Sequence, residues 1–279
     1  MSSQAEKAEL FRSLHRGGRI LVLPNAWDVP SARVFEDSGF KAVATSSAGM
    51  MVSLGYQDGE AIPRREFMQG VKRIAGALGV PLSADVVAGF GGGPAGVERT
   101  VKEVVKAGAV GINIEDFVHL TKTLMPLEEQ VRKLKSLVKL RDSSKVRFVI
   151  NARTDAFRFG KGGEEERLEE AIRRGKAYRD LGADCVYPMG LVDSASISEF
   201  VRALGFPVNV MVRKGLPPVR ELEGLGVARV SFGPSASYAA MGLLRRASEE
   251  VMKEGTYSLL TEGAVSFDEL NSLAVPKKP

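Results

Sequence analysis

The chain has 279 residues, a single cysteine and a net charge of +5 from 39 basic and 34 acidic residues. This length accommodates one large α/β domain or two ordinary ones, and one cysteine excludes an intrachain disulfide and favours a reducing compartment. Basic and acidic residues alternate along the amphipathic segments without a long basic block, which argues against nucleic-acid binding. The mild positive balance would help to attract an anionic small molecule.

The chain also lacks the sequence features of a membrane or secreted protein. No uncharged run approaches the roughly 18 residues that a membrane span needs. The first ten residues contain acids and no apolar stretch of the kind found in signal peptides. We therefore expect a cytoplasmic protein without a membrane partner.

Short apolar segments alternate with amphipathic segments along the chain, and the apolar ones are typical of parallel strands covered on both faces. In chain order, this pattern predicts strands and helices alternately at residues 20–23, 29–38, 42–45, 64–78, 82–85, 96–107, 111–115, 127–140, 147–151, 164–181, 185–188, 194–203, 208–212, 218–225, 229–232 and 235–253. Eight βα units in about 250 residues predict an α/β fold, the (β/α)₈ TIM barrel. We place the barrel in residues 1–255 and a helical tail, with one short helix over 266–273, in residues 256–279.

Charged residues end three of the predicted strands. Asp85 and Glu115 close the third and fourth strands, and Arg153 follows the fifth. In a barrel of this kind the carboxyl ends of the strands meet at one face, where active sites lie. Asp58 and Ser46 follow the second strand, and the same geometry brings them to this face. The sequence therefore predicts an enzyme with one site at the top of the barrel.

Asp58, Asp85, Glu115 and Asp116 offer carboxylate oxygens, whereas the whole chain contains only two histidines. This composition disfavours a zinc site and favours Mg²⁺, with Mn²⁺ as the alternative ion. Such an ion could polarise a 2-oxo group and stabilise an enolate. The alternative is that the carboxylates cap helices and make ordinary ion pairs.

Two further features could bind a substrate anion. Arg153 could form a two-pronged contact with a carboxylate or phosphonate, or could instead form a structural salt bridge with Asp155 or Glu115. Residues 46–49, Ser-Ser-Ala-Gly, are predicted to form a small-residue loop whose N–H groups and hydroxyls could hold a carboxylate. The alternative for that loop is a plain tight turn.

Three single residues have two interpretations each. His119 could be a general acid or base near the site mouth, or an exposed loop histidine. Trp27 could line the pocket or seal the top of the barrel. Cys185 lies in the middle of a predicted strand and is interpreted as a buried core thiol rather than a nucleophile.

Residues 91–96 match the G-x-G-x-x-G pattern and open a helix, with Glu115 about 20 residues further on, as in dinucleotide-binding sites. The motif belongs to the third βα unit, however, and an eight-unit barrel has no switch-point crevice for a dinucleotide. A nicotinamide-dependent dehydrogenase is therefore the least favoured alternative.

Taken together and in order, six stretches resemble the isocitrate lyase/phosphoenolpyruvate mutase superfamily, and in particular its carboxyvinyl-carboxyphosphonate phosphorylmutase-like branch. The resemblance extends over residues 21–254, and the six stretches are 23–28, 45–49, 54–60, 83–91, 114–116 and 151–156. It implies a Mg²⁺-dependent barrel that acts on 2-oxo or 2-hydroxy acids through enolate-like intermediates. It also implies a homotetramer, a dimer of dimers, in which partners exchange the last barrel helix.

The resemblance also implies roles for residues at matching positions. Asp85 would contact Mg²⁺ directly, and Asp58 and Glu115 would hold it through water. The other implied roles concern substrate, which would be bound by Ser46, Ser47, Ala48, Arg153 and Asn209.

The chain departs from this family at several positions. The family usually has a second acid where this chain has Val87, and the loss of one negative ligand should weaken metal binding. The loop at residues 117–125 lacks the cysteine of the isocitrate and methylisocitrate lyases. It keeps Lys122 and Thr123 of the phosphonate enzymes but has Leu124 in place of their polar third residue.

These features favour a Mg²⁺-dependent lyase or decarboxylase that cleaves a C–C bond in an oxaloacetate-like acid. Arg153, Asp58 and His119 are the predicted catalytic residues, and the enolate would be protonated by water or His119. The first alternative is P–C bond chemistry on phosphonopyruvate or phosphoenolpyruvate. The second is a metal-poor, non-catalytic binding protein, which Val87 would favour.

Overall fold

The computed structural model describes residues 2–275, in which strands and helices alternate. The strands are β1 (Leu21–Leu23), β2 (Asn25–Ala26), β3 (Val43–Thr45), β4 (Leu82–Asp85), β5 (Gly111–Glu115), β6 (Phe117–Val118), β7 (Thr123–Leu124), β8 (Val149–Thr154), β9 (Cys185–Pro188), β10 (Asn209–Met211) and β11 (Arg229–Ser231). The helices are α1 (Gln4–Leu14), α2 (Val29–Asp37), α3 (Ser47–Ser53), α4 (Arg64–Ala77), α5 (Gly93–Lys106), α6 (Leu127–Ser143), α7 (Ala156–Phe159), α8 (Glu164–Asp180), α9 (Ser194–Leu204), α10 (Val219–Gly224), α11 (Ser235–Glu254), α12 (Ser258–Thr261) and α13 (Phe267–Leu273).

The parallel strands close into a barrel. One sheet has the order β2-β3-β4-β5-β8-β9, and a second has the order β1-β11-β10. Pro24 separates β1 from β2, so these two short strands are two parts of one barrel strand that belongs to both sheets. A parallel bridge between Val186 and Val208 joins the sheets on the other side. This arrangement confirms the predicted (β/α)₈ barrel.

The main apolar core lies between the barrel wall and the surrounding helices. Helix α5 shows why these segments become helices, because its buried residues Val97, Thr100, Val101 and Val104 recur at helical spacing on one face. Gly205 ends α9 in the left-handed conformation that glycine adopts without steric cost. The helices therefore cover the apolar outer surface of the strands and leave the polar interior of the barrel for the site.

Helix α1 closes the amino-terminal end of the barrel and was not predicted. Ser3 and Glu6 form a capping box at its start. Phe11 is fully buried, and an added Cβ at Gly111 would lie 2.5 Å from the Phe11 ring. Gln4 donates hydrogen bonds to the carbonyl groups of Val105 and Ala109. Helix α1 thus covers this end, and the cavity that reaches the barrel interior opens at the opposite face.

The predicted loop at residues 46–49 was wrong. The segment at residues 46–49 begins helix α3, for which the Ser46 side chain accepts a hydrogen bond from the N–H of Gly49. Small residues can start a helix when a serine caps it, and this capping favoured the helix over the predicted loop. The segment at residues 117–125 contains the antiparallel hairpin β6–β7.

The tail after α11 contains α12 and α13, and α13 packs on α2 with Leu273 buried. The predicted helix over residues 266–273 is thus present as α13. The last four residues of the predicted tail domain, 276–279, lie outside the described part. Across residues 2–275, no helix combines the length and the hydropathy that a membrane span requires.

Candidate active site

A cavity of about 450 Å³ opens at the carboxyl ends of the barrel strands. Its lining includes most of the residues that the sequence singled out, namely Ser46, Ser47, Ala48, Asp58, Asp85, Arg153 and Asn209. Asp85, Arg153 and Asn209 lie on β4, β8 and β10, which alternate with β5 and β9 around the closed sheet. The structure therefore brings these predicted substrate residues together with Asp58 and Asp85 at one site.

Asp85 lies at the end of β4, and two side chains hold its carboxylate while a third holds its backbone N–H. Ser47 Oγ donates to Oδ2 at 2.7 Å, and Asn113 Nδ2 donates to Oδ1 at 3.0 Å. The Asp85 N–H donates to Thr45 Oγ1 at 2.9 Å. Asn113 is oriented in turn by Asn151, which donates to Asn113 Oδ1 at 2.9 Å. This network fixes the carboxylate while it still faces the cavity.

Arg153 is held between two buried carboxylates. Its Nη1 lies 2.7 Å from Glu115 Oε2, and Nε and Nη2 form a two-pronged contact with Asp155 at 2.7 and 2.8 Å. Although burial lowers the pKa of Arg153, the charges of Asp155 and Glu115 raise it well above the ordinary value. Both predicted structural salt bridges are thus present, and Arg153 also lines the cavity. It is a fixed positive charge at the cavity wall.

His119 lies behind the ion pair of Arg153 and Glu115. Its Nε2 is hydrogen-bonded to Glu115 Oε1, and its ring packs edge-on against Phe117. Burial lowers the pKa of His119, but the hydrogen bond and the charge of Glu115 raise it on balance. Burial raises the pKa of Glu115, which Arg153 and His119 only partly oppose. His119 is therefore a half-buried, positioned group rather than a free loop histidine.

Asp58 lies in the segment between α3 and α4 and is the most exposed of the predicted carboxylates. Partial burial raises its pKa, and the negative charge of Asp85 adds to the shift. His119 and Arg153 act in the opposite direction. These effects show that Asp58 shares one electrostatic environment with Asp85, His119 and Arg153.

Several predicted residues do not line the cavity. Glu115 and His119 lie behind Arg153. Trp27 lies beside α3, where an added Cβ at Gly49 would be 2.9 Å from Trp27 Cβ. Asp116, considered as an oxygen ligand, is fully buried, and Tyr178 and Arg174 hold its carboxylate at 2.6 and 2.9 Å.

The glycine-rich segment at residues 91–96 also lies away from the cavity. Gly91 and Gly96 approach each other so closely that a Cβ on either would be 3.0–3.2 Å from the other's backbone. Neither glycine is among the described residues that line the cavity. The close packing of this turn onto the start of α5 explains its glycines without a dinucleotide.

Val87 occupies a strained position between Asp85 and Glu115. Its φ of 54° lies in the left-handed region, which β-branched residues rarely adopt. The Val87 carbonyl accepts a hydrogen bond from the Glu115 N–H at 3.0 Å, while the side chain is buried in the apolar core. Such strain costs about 1–3 kcal/mol and tends to occur at functional sites.

The donor set is compatible with a hard divalent cation at Asp85. Asp85 and Asp58 present only oxygen donors to the cavity, and their negative charges disfavour each other. A cation would relieve that repulsion. Among residues 2–275 no three acid, histidine or cysteine side chains are spaced to enclose a metal. The arrangement therefore suits Mg²⁺, which keeps several waters and uses one or two carboxylates.

Basic side chains outnumber acids around the cavity. Its described lining contains two carboxylates, Asp58 and Asp85, and five basic groups, which are Arg153, Arg158, Arg213, Lys214 and Arg229. Sequence reasoning missed Arg229. The signal that could have revealed it is a charged residue inside the apolar stretch 227–230. It also missed the strand asparagines Asn113 and Asn151, which are polar residues within apolar strands. This charge balance favours an anionic ligand with more than one negative group.

The fold and site together define a (β/α)₈-barrel enzyme with a charged site at the carboxyl ends of its strands. The sequence profile of the phosphoenolpyruvate phosphomutase family matches residues 11–252. The chain belongs to this family and thus to the isocitrate lyase/phosphoenolpyruvate mutase superfamily, in which it is a carbon–carbon lyase.

Named relatives and solved structures cover nearly the whole chain. The 2,3-dimethylmalate lyase of Eubacterium barkeri is 33% identical over 95% of this chain and 93% of its own length. The oxaloacetate decarboxylase of a Marinomonas strain is 29% identical over 97% of this chain and 92% of its own length. The crystal structure of a putative lyase/mutase from Burkholderia cenocepacia superposes with a TM-score of 0.89, at 35% identity, over 98% of this chain and 99% of that one.

Proposed function

We propose that the protein is a Mg²⁺-dependent lyase that decarboxylates a 2-oxo dicarboxylic acid of the oxaloacetate type. The observation that carries this proposal is the cavity that Asp85 lines together with five basic side chains. A decarboxylation needs no strong nucleophile. This agrees with the buried position of Cys185, whose thiol pKa burial raises to about 12.

Each step can be assigned to residues at the cavity. Arg153 and the segment Ser46–Ser47–Ala48 would bind a substrate carboxylate. Mg²⁺ held by Asp85, with Asp58 and Glu115 nearby, would supply positive charge that draws electrons toward the 2-oxo oxygen. Cleavage of the bond to the leaving carboxylate then releases CO₂, and its electron pair forms the enolate of pyruvate.

Protonation of the enolate carbon completes the reaction. His119 has a raised pKa and therefore carries a proton at neutral pH more readily than an ordinary histidine. It stands behind Arg153 rather than in the cavity wall, so the proton would pass through water or after a small movement of the hairpin β6–β7. Asp58 at the cavity mouth would orient that water.

The reaction can be tested by incubating the protein with Mg²⁺ and a panel of acids, followed by ¹H and ³¹P NMR. The panel contains oxaloacetate, phosphonopyruvate, phosphoenolpyruvate, methylisocitrate and 2-isopropylmalate. We expect Mg²⁺-dependent conversion of oxaloacetate to pyruvate, which Asp85→Ala reduces to the rate that free Mg²⁺ gives without enzyme. Conversion of phosphonopyruvate instead would establish the P–C alternative. The absence of turnover of every acid, with Mg²⁺ or with Mn²⁺, would favour the non-catalytic alternative.

We also propose that the protein is a homotetramer. Only Ser237 and Ala247 of the twenty residues of α11 are buried, whereas Met241, Leu244 and Met252 are exposed. Apolar surface of this extent on one helix is typical of a face that a partner subunit covers. Light scattering after gel filtration should give the mass of a tetramer, and Leu244→Glu should reduce it.

A further inference from the structure

Arg229 is an unpaired charge at the floor of the cavity. Its residue is 2% exposed and is the largest of the fully buried side chains among the described residues. Nη1 has no hydrogen-bond partner, and no carboxylate of residues 2–275 forms an ion pair with the guanidinium. A buried polar group without a partner is rare in native structures and requires an explanation.

The nearby carboxylates are already engaged. Asp184 is held by Arg12 at one oxygen and by Arg141, 3.1 Å away, at the other. Asp85 is held by Ser47 and Asn113. Burial lowers the pKa of Arg229, and the charges of Cys185, Tyr187 and Asp85 oppose this shift only in part. The guanidinium is therefore left without the anion that would stabilise it.

Other groups on the same floor are also unsatisfied. Ser83 Oγ and Asn151 Oδ1 are buried without hydrogen-bond partners, and Ser83 and Arg229 both line the cavity. Tyr187 interacts with both arginines, because Arg153 is 5.7 Å from its ring centre and Arg229 interacts electrostatically with the same side chain. Arg153, Tyr187 and Arg229 all line the one cavity.

We propose that Arg229 is a second anion subsite, which binds one carboxylate of a dicarboxylate substrate while Arg153 and residues 46–48 bind the other. This inference rests on the proposed function and specifies which side chain selects its substrate class. A guanidinium forms paired hydrogen bonds with a carboxylate, and Ser83 would donate one more. Arg229 would then distinguish dicarboxylates from monocarboxylates that lack only the distal carboxylate.

The test compares malate with lactate, which are 2-hydroxy acids that differ by the distal carboxylate and lack a 2-oxo group to react. Isothermal titration calorimetry with Mg²⁺ gives the Kd of each for the wild type, Arg229→Met, Arg229→Lys and the control Arg16→Met. Arg16 is exposed and lies at the opposite end of the barrel. The control substitution therefore removes the same charge far from the cavity mouth.

We expect Arg229→Met to weaken malate binding by about 10- to 100-fold and lactate binding by less than about threefold. Arg229→Lys should recover most of the malate affinity, and Arg16→Met should leave both unchanged. Since Arg229→Met removes an unpaired buried charge, its Tm should stay equal or rise. A merely structural arginine would lower the Tm and affect both acids alike.

The inference is overturned if wild-type protein binds malate no tighter than lactate, or if the malate-to-lactate ratio is the same in Arg229→Met. If Arg229→Met does not fold, the ratio in Arg229→Gln, which also removes the charge, decides in the same way. Selective malate binding without turnover of any 2-oxo acid would refute the proposed reaction and leave the subsite standing.

Discussion

Gly59 and Gly55 offer a matched pair of substitutions that separates contact with His119 from backbone strain. Both glycines have a positive φ, of 105° and 83°. A Cβ added at Gly59 would overlap the His119 ring and lie 2.8 Å from its Cβ, whereas one at Gly55 meets nothing within 4 Å. Alanine at either position adds a strain of about 1–2 kcal/mol, but only Gly59→Ala must displace His119.

The displacement can be estimated from the contact. Carbon atoms prefer separations of about 3.5–4.0 Å, so His119 must move by most of an ångström. A shift of about 1 Å in a catalytic group can lower the rate about 100-fold. We expect kcat for oxaloacetate to fall about 10- to 100-fold in Gly59→Ala and less than about threefold in Gly55→Ala. Urea unfolding should show a similar loss of about 1–2 kcal/mol in both variants.

The assay is the steady-state formation of pyruvate at saturating Mg²⁺, repeated in a His119→Gln background. If Gly59→Ala acts through His119, it should cause little further loss once His119 is replaced, because the two effects are then not additive. Equal losses of activity in Gly59→Ala and Gly55→Ala would refute the reasoning and attribute the effect to strain in the loop.

Three further predictions concern single residues. Arg153→Lys should reduce kcat/KM by more than about 100-fold and the free energy of unfolding by about 1–3 kcal/mol, since lysine cannot reproduce the three short contacts with Glu115 and Asp155; unchanged values in both measurements would contradict the site. Val87→Asp should lower the free energy of unfolding in urea by about 1–3 kcal/mol, because it places a carboxylate in the apolar core where the valine side chain is buried; unchanged stability would show that the side chain at this position reaches the cavity instead. Cys185 should react with a thiol reagent at pH 8 more than about 100-fold faster in denaturant than in the native state, because only the thiolate reacts and burial raises the pKa of the thiol. Rapid labelling of the native protein would contradict this burial. Cys185→Ser should leave turnover nearly unchanged.

Local pattern predicted much of the barrel. The strands at residues 82–85, 111–115 and 185–188 were predicted with their observed bounds, since turn residues and changes of periodicity mark their ends. The fifth strand was predicted over 147–151, but β8 extends from Val149 to Thr154. Its pairing with β5 and β9 continues through Arg153, and such nonlocal pairing leaves no signal in the segment itself.

The same limit applies to the site. Asp85 and Arg153 could be predicted because charges at strand ends meet at one face of a barrel. The role of His119 depends on the hairpin that brings it to Glu115, and the importance of Arg229 depends on which carboxylates other residues have already engaged. The sequence therefore placed His119 near the site but not its contact with Glu115, which requires the hairpin, and it gave no account of Arg229, which depends on contacts between distant segments.

The most direct test of the account is ¹³C NMR of [4-¹³C]oxaloacetate with Mg²⁺, in the presence of wild-type protein or of Asp85→Ala. The Asp85→Ala sample also measures the decarboxylation that free Mg²⁺ causes. We predict that the wild type releases labelled CO₂ and bicarbonate at least about 100-fold faster than Asp85→Ala and that EDTA removes the difference. Equal rates in the two samples would contradict a metal-dependent decarboxylase centred on Asp85.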